Sequence, residues 1–260
     1  MGKLRKWKLF IPIIFFVALL VISASGCASN STINSSDQAI KVSPQSTPIA
    51  IPFDKIAGRL LETSDFPVFL PAYLPAPYTG EEWFLNLESS NNKFTIEIDL
   101  RSRGNKTGMY VGTLSGNVGN PPVSPLEKQF ISENRELKTI KLTNEIECKE
   151  YIIDPAAGKA ISWESGQWGY FVAAQPDSKE GSTISYASQI INLIGGNGLA
   201  LSEFPGRLYF FYTGANHPTT EIFWKVNNSV WYQLDWRDDP SNAIKILRSM
   251  KQIGINEQTK

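Results

Sequence analysis

The stretch that decides the fold is TTEIFWKVNNSVWYQLDWRDDPSNAIKILRSM, residues 219–250. Residues 219–226 and 229–236 are rich in β-branched and aromatic residues around a polar turn, which predicts a β-hairpin. Asp239 followed by Pro240 is typical of a helix N-cap and first helical position. The apolar residues at helical spacing that should form the buried stripe of this helix are Ala243, Ile246, Leu247, Met250 and Ile253.

A similar unit precedes this one in the chain. Ile161-Ser162-Trp163, then Tyr170 and Val172, lie about 61 residues before Ile222-Phe223-Trp224, then Tyr232 and Leu234. Each set is followed by a helical pattern, which in the first unit contains Ile184, Ala187, Ile190, Ile191 and Ile194 and ends at Gly195-Gly196. The repeated hairpin-helix unit is explained by duplication, which we favour slightly, or by convergence.

The rest of the folded region also alternates like strands. The further predicted strands are 83–87, 94–98, 107–114, 137–143, 146–153 and 206–213, and Phe53, Ile56, Leu60 and Leu61 indicate a short opening helix. This pattern predicts an α+β fold: an antiparallel, curved sheet with helices packed on one face.

A proline-rich segment, Phe66-Pro67 through Pro77, follows the first helix. Each proline forces its predecessor into an extended conformation, so the segment should cross the domain surface with its leucines tucked in. Leu70-Pro71-Ala72-Tyr73-Leu74-Pro75 and the Trp163…Gly169-Tyr170 hairpin resemble extracytoplasmic domains of bacterial lipoproteins and anti-sigma-factor ectodomains, some similar to lipoprotein-carrier curved sheets. The resemblance implies a non-catalytic binding role and transfers no active-site residues.

The N-terminus resembles the signal of a bacterial lipoprotein. Four basic residues precede a 14-residue apolar stretch from Leu9 to Ile22, and Ala24-Ser25-Gly26 leads to Cys27. Small residues before a cysteine are what the signal peptidase requires, and the apolar stretch is shorter than the roughly 20 residues of a spanning helix. We therefore expect lipidation of Cys27 after removal of residues 1–26. Ordinary secretory cleavage and an uncleaved helix are the alternatives.

Composition then predicts the organisation of the mature chain. Removal of residues 1–26 leaves 21 basic against 25 acidic residues, a net charge of −4, which argues against nucleic acid as a partner. Residues 27–50 are serine-rich without aromatics and should form a lipidated, disordered tether. Residues 51–260 should form one domain, with candidate halves 51–198 and 199–260. Lipidation leaves Cys148 as the single thiol, which we expect to be buried.

Few residues suggest catalysis, a metal or a cofactor, and we predict none of the three. His217 is the only histidine, which excludes a multi-histidine zinc site. Glu97 and Asp99 lie two apart on a strand and share one face, so a hydrolase using paired carboxylates in the cell envelope is the alternative. A third hypothesis is a structural or assembly subunit that docks through the proline-rich segment.

Aromatic residues concentrated in the two hairpins are the best lead to a binding site. The candidate residues are Trp168, Tyr170, Trp231 and Tyr232, which form either the core or a groove for a lipid, glycan or peptide. Trp231 and Tyr232 are adjacent on a strand and must point to opposite faces, so at least one should be exposed. The leading hypothesis is a membrane-anchored, extracytoplasmic lipoprotein with a binding or sensing role.

Overall fold

The computed structural model describes residues 49–121, 124, 136–142, 146–154, 158–174, 183–195, 199, 205–212 and 218–254. Cys27, almost all of the expected tether, and His217 lie outside the described residues. The helices in the described ranges are α1 (Asp54–Thr63), α2 (Thr183–Ile194) and α3 (Pro240–Arg248). The strands there are β1 (Phe69–Pro71), β2 (Glu81–Ser90), β3 (Lys93–Ser102), β4 (Met109–Val118), β5 (Glu136–Lys141), β6 (Glu147–Asp154), β7 (Gly158–Ser165), β8 (Trp168–Ala174), β9 (Gly206–Tyr212), β10 (Thr219–Lys225), β11 (Val230–Trp236) and β12 (Met250–Gln252).

Ten strands form one sheet in the order β2-β3-β4-β11-β10-β9-β8-β7-β6-β5. Neighbouring strands in this described sheet are antiparallel except β8 and β9, which are parallel. The expectation of a wholly antiparallel sheet is therefore wrong at this junction, although the α+β class stands. The reason is that α2 lies between β8 and β9 in the chain and provides the crossover that parallel neighbours need.

The three helices share one core with the sheet. Leu60 of α1, Ile190 of α2 and Ile246 of α3 are at most 1% exposed and belong to one cluster with the inward side chains of the strands. Burial of these stripes removes apolar surface from water, at about 25 cal/mol per Å². The helices therefore occupy one face of the sheet, and we call the opposite face the second face.

Both predicted hairpin-helix units are present. In β7–β8, Trp163 stands opposite Tyr170 and their rings stack with centroids 5.0 Å apart. In β10–β11, Trp224 stands opposite Tyr232 with centroids 5.3 Å apart. Helices α2 and α3 follow these hairpins, so each unit places one tryptophan–tyrosine pair beneath the helical layer.

The predicted stripe of α3 is correct at its start and wrong at its end. Asp239 caps the helix because its Oδ1 accepts a hydrogen bond from Ser241 N–H at 2.8 Å. The helix ends at Arg248, however, and Met250 begins β12, which pairs antiparallel with β1. The extended backbone of the proline-rich segment offers strand partners here, so Met250 and Ile253 do not continue the helix.

The proline-rich segment runs extended as predicted. Leu70 in β1 is fully buried, and Leu74 packs against the core from a partly buried position. Tyr73 is partly buried, and its hydroxyl donates to Asn242 Oδ1 at 3.3 Å. The apolar residues predicted at helical spacing in α1 and α2 are not all buried. In α1, Leu61 is 44% exposed, and in α2, Ile184 is 47% exposed.

Candidate ligand-binding groove

The second face of the sheet carries its own small cluster of buried apolar residues. Strand alternation places them opposite the helical core, and they are Ala160, Phe171, Ala173, Tyr209, Phe211 and Phe223. Phe171 and Tyr209 are neighbours across β8 and β9, with ring centroids 6.1 Å apart. This mainly aromatic cluster lies beside a more polar region of the same face.

Two adjoining depressions lie on this polar region, with volumes of about 550 and 560 Å³. Four of the lining residues are shared by both depressions: Glu164, Gly169, Arg207 and Tyr209. The first continues over β6, where it reaches Tyr151, and the second reaches Trp231 on β11. We call the combined feature the Gly169 groove. Each of the two depressions has a volume in the range of small-molecule sites in proteins.

Gly169 lies in the middle of the groove, and the local fold does not require a glycine there. It stands in register with Glu164 on β7 and with Arg207 on β9. Its φ is not positive, and an added Cβ would meet only the Cγ of Arg207, at 3.8 Å. A glycine inside a strand weakens it and often marks a bulge, a tight bend, or a place where a ligand or another backbone approaches closely, and the register of β8 with β7 and β9 shows no bulge here. Gly169 therefore leaves this part of the groove floor without a side chain.

Gly206, at the start of β9, has a different role. A Cβ at this position would overlap the indole ring of Trp168. Trp168 is 4% exposed and its ring fills the space above Gly206 in the helical core, while both residues also border the second depression. This glycine is therefore required for packing, in contrast with Gly169.

Charged residues of both signs surround the floor. Glu164 and Arg207 stand on either side of Gly169, and the side chains of both are exposed. Arg207 also donates a hydrogen bond to the hydroxyl of Tyr209 at 3.4 Å. Glu147 and Lys149 line the far end on β6. The four lining charges sum to zero, while Lys141 pairs with Glu147 and Lys225 lies beside Trp231, so the groove offers hydrogen-bond donors and acceptors of both signs.

The four aromatic residues predicted as a binding site divide between the two faces. Tyr170 and Tyr232 are at most 2% exposed and belong to the helical core. Trp168 also belongs to that core but lines the groove. Trp231 is half-buried on the second face, with Lys225 Nζ 5.9 Å from its ring centre. The prediction that Trp231 and Tyr232 face opposite sides is confirmed, but neither is fully exposed, because Trp231, the one that reaches the groove, is half-buried.

The predicted carboxylate pair, Glu97 and Asp99, lies on β3 away from the groove. Glu97 is exposed and accepts a hydrogen bond from Asn86 Nδ2 at 3.3 Å. Asp99 forms an ion pair with Arg101 at 3.2 Å. Neither residue lines the Gly169 groove. The two carboxylates thus have separate partners rather than a shared cleft.

Sequence reasoning missed a different carboxylate pair, Glu221 and Asp235, which face each other across β10 and β11. Burial raises the pKa of Glu221 from its usual 4.5 to about 7, while the Ser124 hydroxyl, which donates at 2.6 Å, opposes the rise and Asp235 adds to it. Burial also raises the pKa of Asp235, against the hydrogen bonds from Gln233. Their separation by 14 positions hid the pairing from local patterns.

Other features bear on chemistry without adding a site. Within the described ranges, no three His, Cys, Asp or Glu side chains are placed to hold a metal ion. Cys148 is 1% exposed, as predicted, and burial raises the pKa of its thiol to about 11. In the part of the chain that the structure describes, no helix is both long and apolar enough to cross a membrane.

Comparison with known proteins gave no further guide to this groove. No family model matches the chain, and neither the curated proteins nor the solved structures contain a match. The function must therefore be inferred from the chain's own residues.

Proposed function

We propose that this protein is a membrane-anchored, extracytoplasmic lipoprotein whose folded domain has a non-catalytic binding or sensing role. The observation that carries the binding role is the Gly169 groove, a depression floored by a strand glycine that packing does not require. The carboxylates considered for hydrolysis support this choice, because Glu97 is exposed and Asp99 is paired with Arg101. The lipobox-like residues Ala24-Ser25-Gly26-Cys27 carry the anchor.

We also propose that the two hairpin-helix units arose by duplication and that the sheet curves around the helices. Support for duplication comes from the cross-strand pairs Trp163–Tyr170 and Trp224–Tyr232, which occupy matching positions in the two units. Support for curvature comes from the single core shared by all three helices. In this proposal the second face is the outer, ligand-binding side of the sheet.

The anchor is tested on the full chain expressed in bacteria. Cys27→Ser should move the protein from the membrane fraction to the soluble or secreted fraction, because the thioether attachment is lost. Mass spectrometry of the native N-terminus should show an acylated Cys27. Cys148→Ser is the matched control and should remain at the membrane. An unmodified terminus at another residue would contradict the anchor.

The binding role is tested by hydroxyl-radical footprinting of the full chain. Oxidation is measured in intact envelopes and in the purified protein, and we expect Trp231 to be protected only in the envelope. Tyr78 is 62% exposed beside the proline-rich segment and is the control. Equal oxidation of Trp231 in both samples would contradict a ligand in the groove. Protection of Tyr78 alone would instead favour docking through the proline-rich segment.

A further inference from the structure

The direction of the groove limits what it can bind. It crosses β6 to β11, a distance of about 24 Å at roughly 4.8 Å per strand. The backbone N–H and C=O groups of β7, β8 and β9 are engaged in ladders with their neighbours. A ligand on this face therefore contacts side chains rather than adding a strand. An extended peptide laid across the strands finds no ladder for its own amides.

The charge pattern argues for a ligand without net charge. Glu164 stands on one side of Gly169 and Arg207 on the other, and Glu147 and Lys149 repeat both signs on β6. For a polyanion or a polycation, attraction by one pair of these residues is offset by repulsion from the other, so the lining favours neither. A hydroxyl group both donates and accepts hydrogen bonds, so neighbouring hydroxyls satisfy carboxylates and cationic donors together.

The ends of the groove supply apolar surface for such a ligand. Tyr151 lies at the β6 end and Trp231 at the β11 end, and both are half-buried. Aromatic rings offer broad apolar faces at low entropic cost, against which the C–H faces of a sugar ring can pack. Gly169 between them allows a ring to lie close to the sheet. A chain of linked rings fits a floor of this length better than a compact solute.

We propose that the Gly169 groove binds an uncharged oligosaccharide, which lies across the strands over Gly169 with its ends near Tyr151 and Trp231. This inference rests on the proposed binding role and names the ligand class. The glycan hydroxyls bond to Glu164 and neighbouring polar side chains, and its C–H faces pack on the aromatic ends. Recognition without net charge predicts weak dependence of affinity on salt concentration.

The test uses the full chain in a polyoxyethylene detergent, which carries no sugar. Calorimetric titrations measure the binding of chitotetraose, maltotetraose, tetra-alanine and dextran sulfate. We expect at least one uncharged oligosaccharide to bind. Gly169→Val should weaken that binding at least tenfold because its side chain fills the floor. Thr95 is in β3 on the second face of the sheet and does not line the groove, so Thr95→Val should leave the affinity unchanged.

Circular dichroism and the melting temperature show whether Gly169→Val disturbs the sheet. If it does, a second variant still tests the site. Glu164→Ala changes an exposed residue, so it should preserve the fold and still weaken oligosaccharide binding at least tenfold. Affinity unchanged by both variants would overturn the site. Failure of both oligosaccharides to bind, or selective binding of tetra-alanine or dextran sulfate, would overturn the ligand class. Protection of Trp231 in envelopes would then still support the binding role itself.

Discussion

The hydroxyl of Tyr232 donates a hydrogen bond to the carbonyl oxygen of Pro67, with 2.8 Å between the two oxygens. The same hydroxyl accepts a hydrogen bond from the N–H of Phe69, also at 2.8 Å. One buried side chain of β11 thus satisfies two backbone groups of the proline-rich segment, 165 and 163 positions earlier in the chain. Burial raises the pKa of this hydroxyl far above its usual range, so it remains protonated and can donate.

Tyr232→Phe should therefore destabilise the protein by about 1–3 kcal/mol, the cost of leaving buried hydrogen-bonding groups unpaired. Urea unfolding of the two proteins measures the difference. Tyr110→Phe is the matched control. The Tyr110 hydroxyl forms a hydrogen bond with the Thr113 hydroxyl at 2.7 Å, and this pair is only partly buried, so water can replace the lost hydroxyl. An equal loss in the two variants would contradict the special role of Tyr232.

Gly112→Ala should destabilise the junction between β4 and β11. A Cβ at Gly112 would overlap the carbonyl oxygen of Asp235 and crowd the ring of fully buried Trp236. Overpacking of this kind costs about 1–3 kcal/mol, which thermal unfolding would detect as a lower melting temperature. Gly58→Ala in α1 meets nothing within 4 Å and should raise stability by up to about 1 kcal/mol, through helix propensity. The two variants should therefore change the melting temperature in opposite directions. A Gly112→Ala protein as stable as wild type would be evidence against the close approach of Gly112 to the Asp235 carbonyl oxygen.

Glu221→Gln should stabilise the protein at high pH but not at low pH. The pKa of Glu221 is raised from 4.5 to about 7, so the folded state binds this proton more tightly than the unfolded chain. The stabilisation from this tighter proton binding is fully present below about pH 4.5 and is lost as the pH rises to about 7. Over this range the free energy of unfolding falls by up to about 1.4 kcal/mol per pH unit. Asp235, whose pKa is also raised, acts in the same direction.

Urea unfolding of wild type and Glu221→Gln across pH 4.5–8 measures this effect. The advantage of the glutamine should grow with pH up to about pH 7 and then level off. Thr95→Val, an uncharged substitution on the same face, should differ from wild type by a constant amount. A glutamine advantage that does not change with pH would contradict the buried ionisation of Glu221.

Asp239→Ala should remove the N-cap of α3. The Oδ1 of Asp239 accepts from Ser241 N–H at 2.8 Å, and loss of such a cap costs about 0.5–2 kcal/mol. Asp239→Ser keeps an acceptor at the same position and should recover most of the stability. Unfolding free energies from urea titrations distinguish the two variants. No difference between alanine and serine would mean that the cap contributes little.

Much of the fold could be read from local patterns. Alternation and turn residues located the hairpin around residues 227–229, and Asp239 with Pro240 located the start of α3. These signals act within a few residues, so the sequence carries them directly. The end of α3 was different, because Met250 leaves the helix to pair with Pro71, a partner 179 positions away.

The groove was only partly predictable for the same reason. Alternation separated Trp231 from Tyr232, but only the structure showed that Trp231 is the one that reaches the groove. Gly169, Glu164 and Arg207 escaped notice because their proximity depends on the register of β7, β8 and β9. The glycine inside the strand pattern at position 169 is the signal that could have suggested a close approach to the backbone.

The sequence by itself determined the α+β class, the two hairpin-helix units and the alternation of faces, because strand and helix periods are local properties of the chain. It also carries the hypothesis of lipidation at Cys27. Only the tertiary structure decided that β8 and β9 run parallel, that Glu221 faces Asp235, and that Gly169 lies between Glu164 and Arg207. Those relationships depend on which strands become neighbours, and that is fixed by packing of the whole core rather than by any single segment.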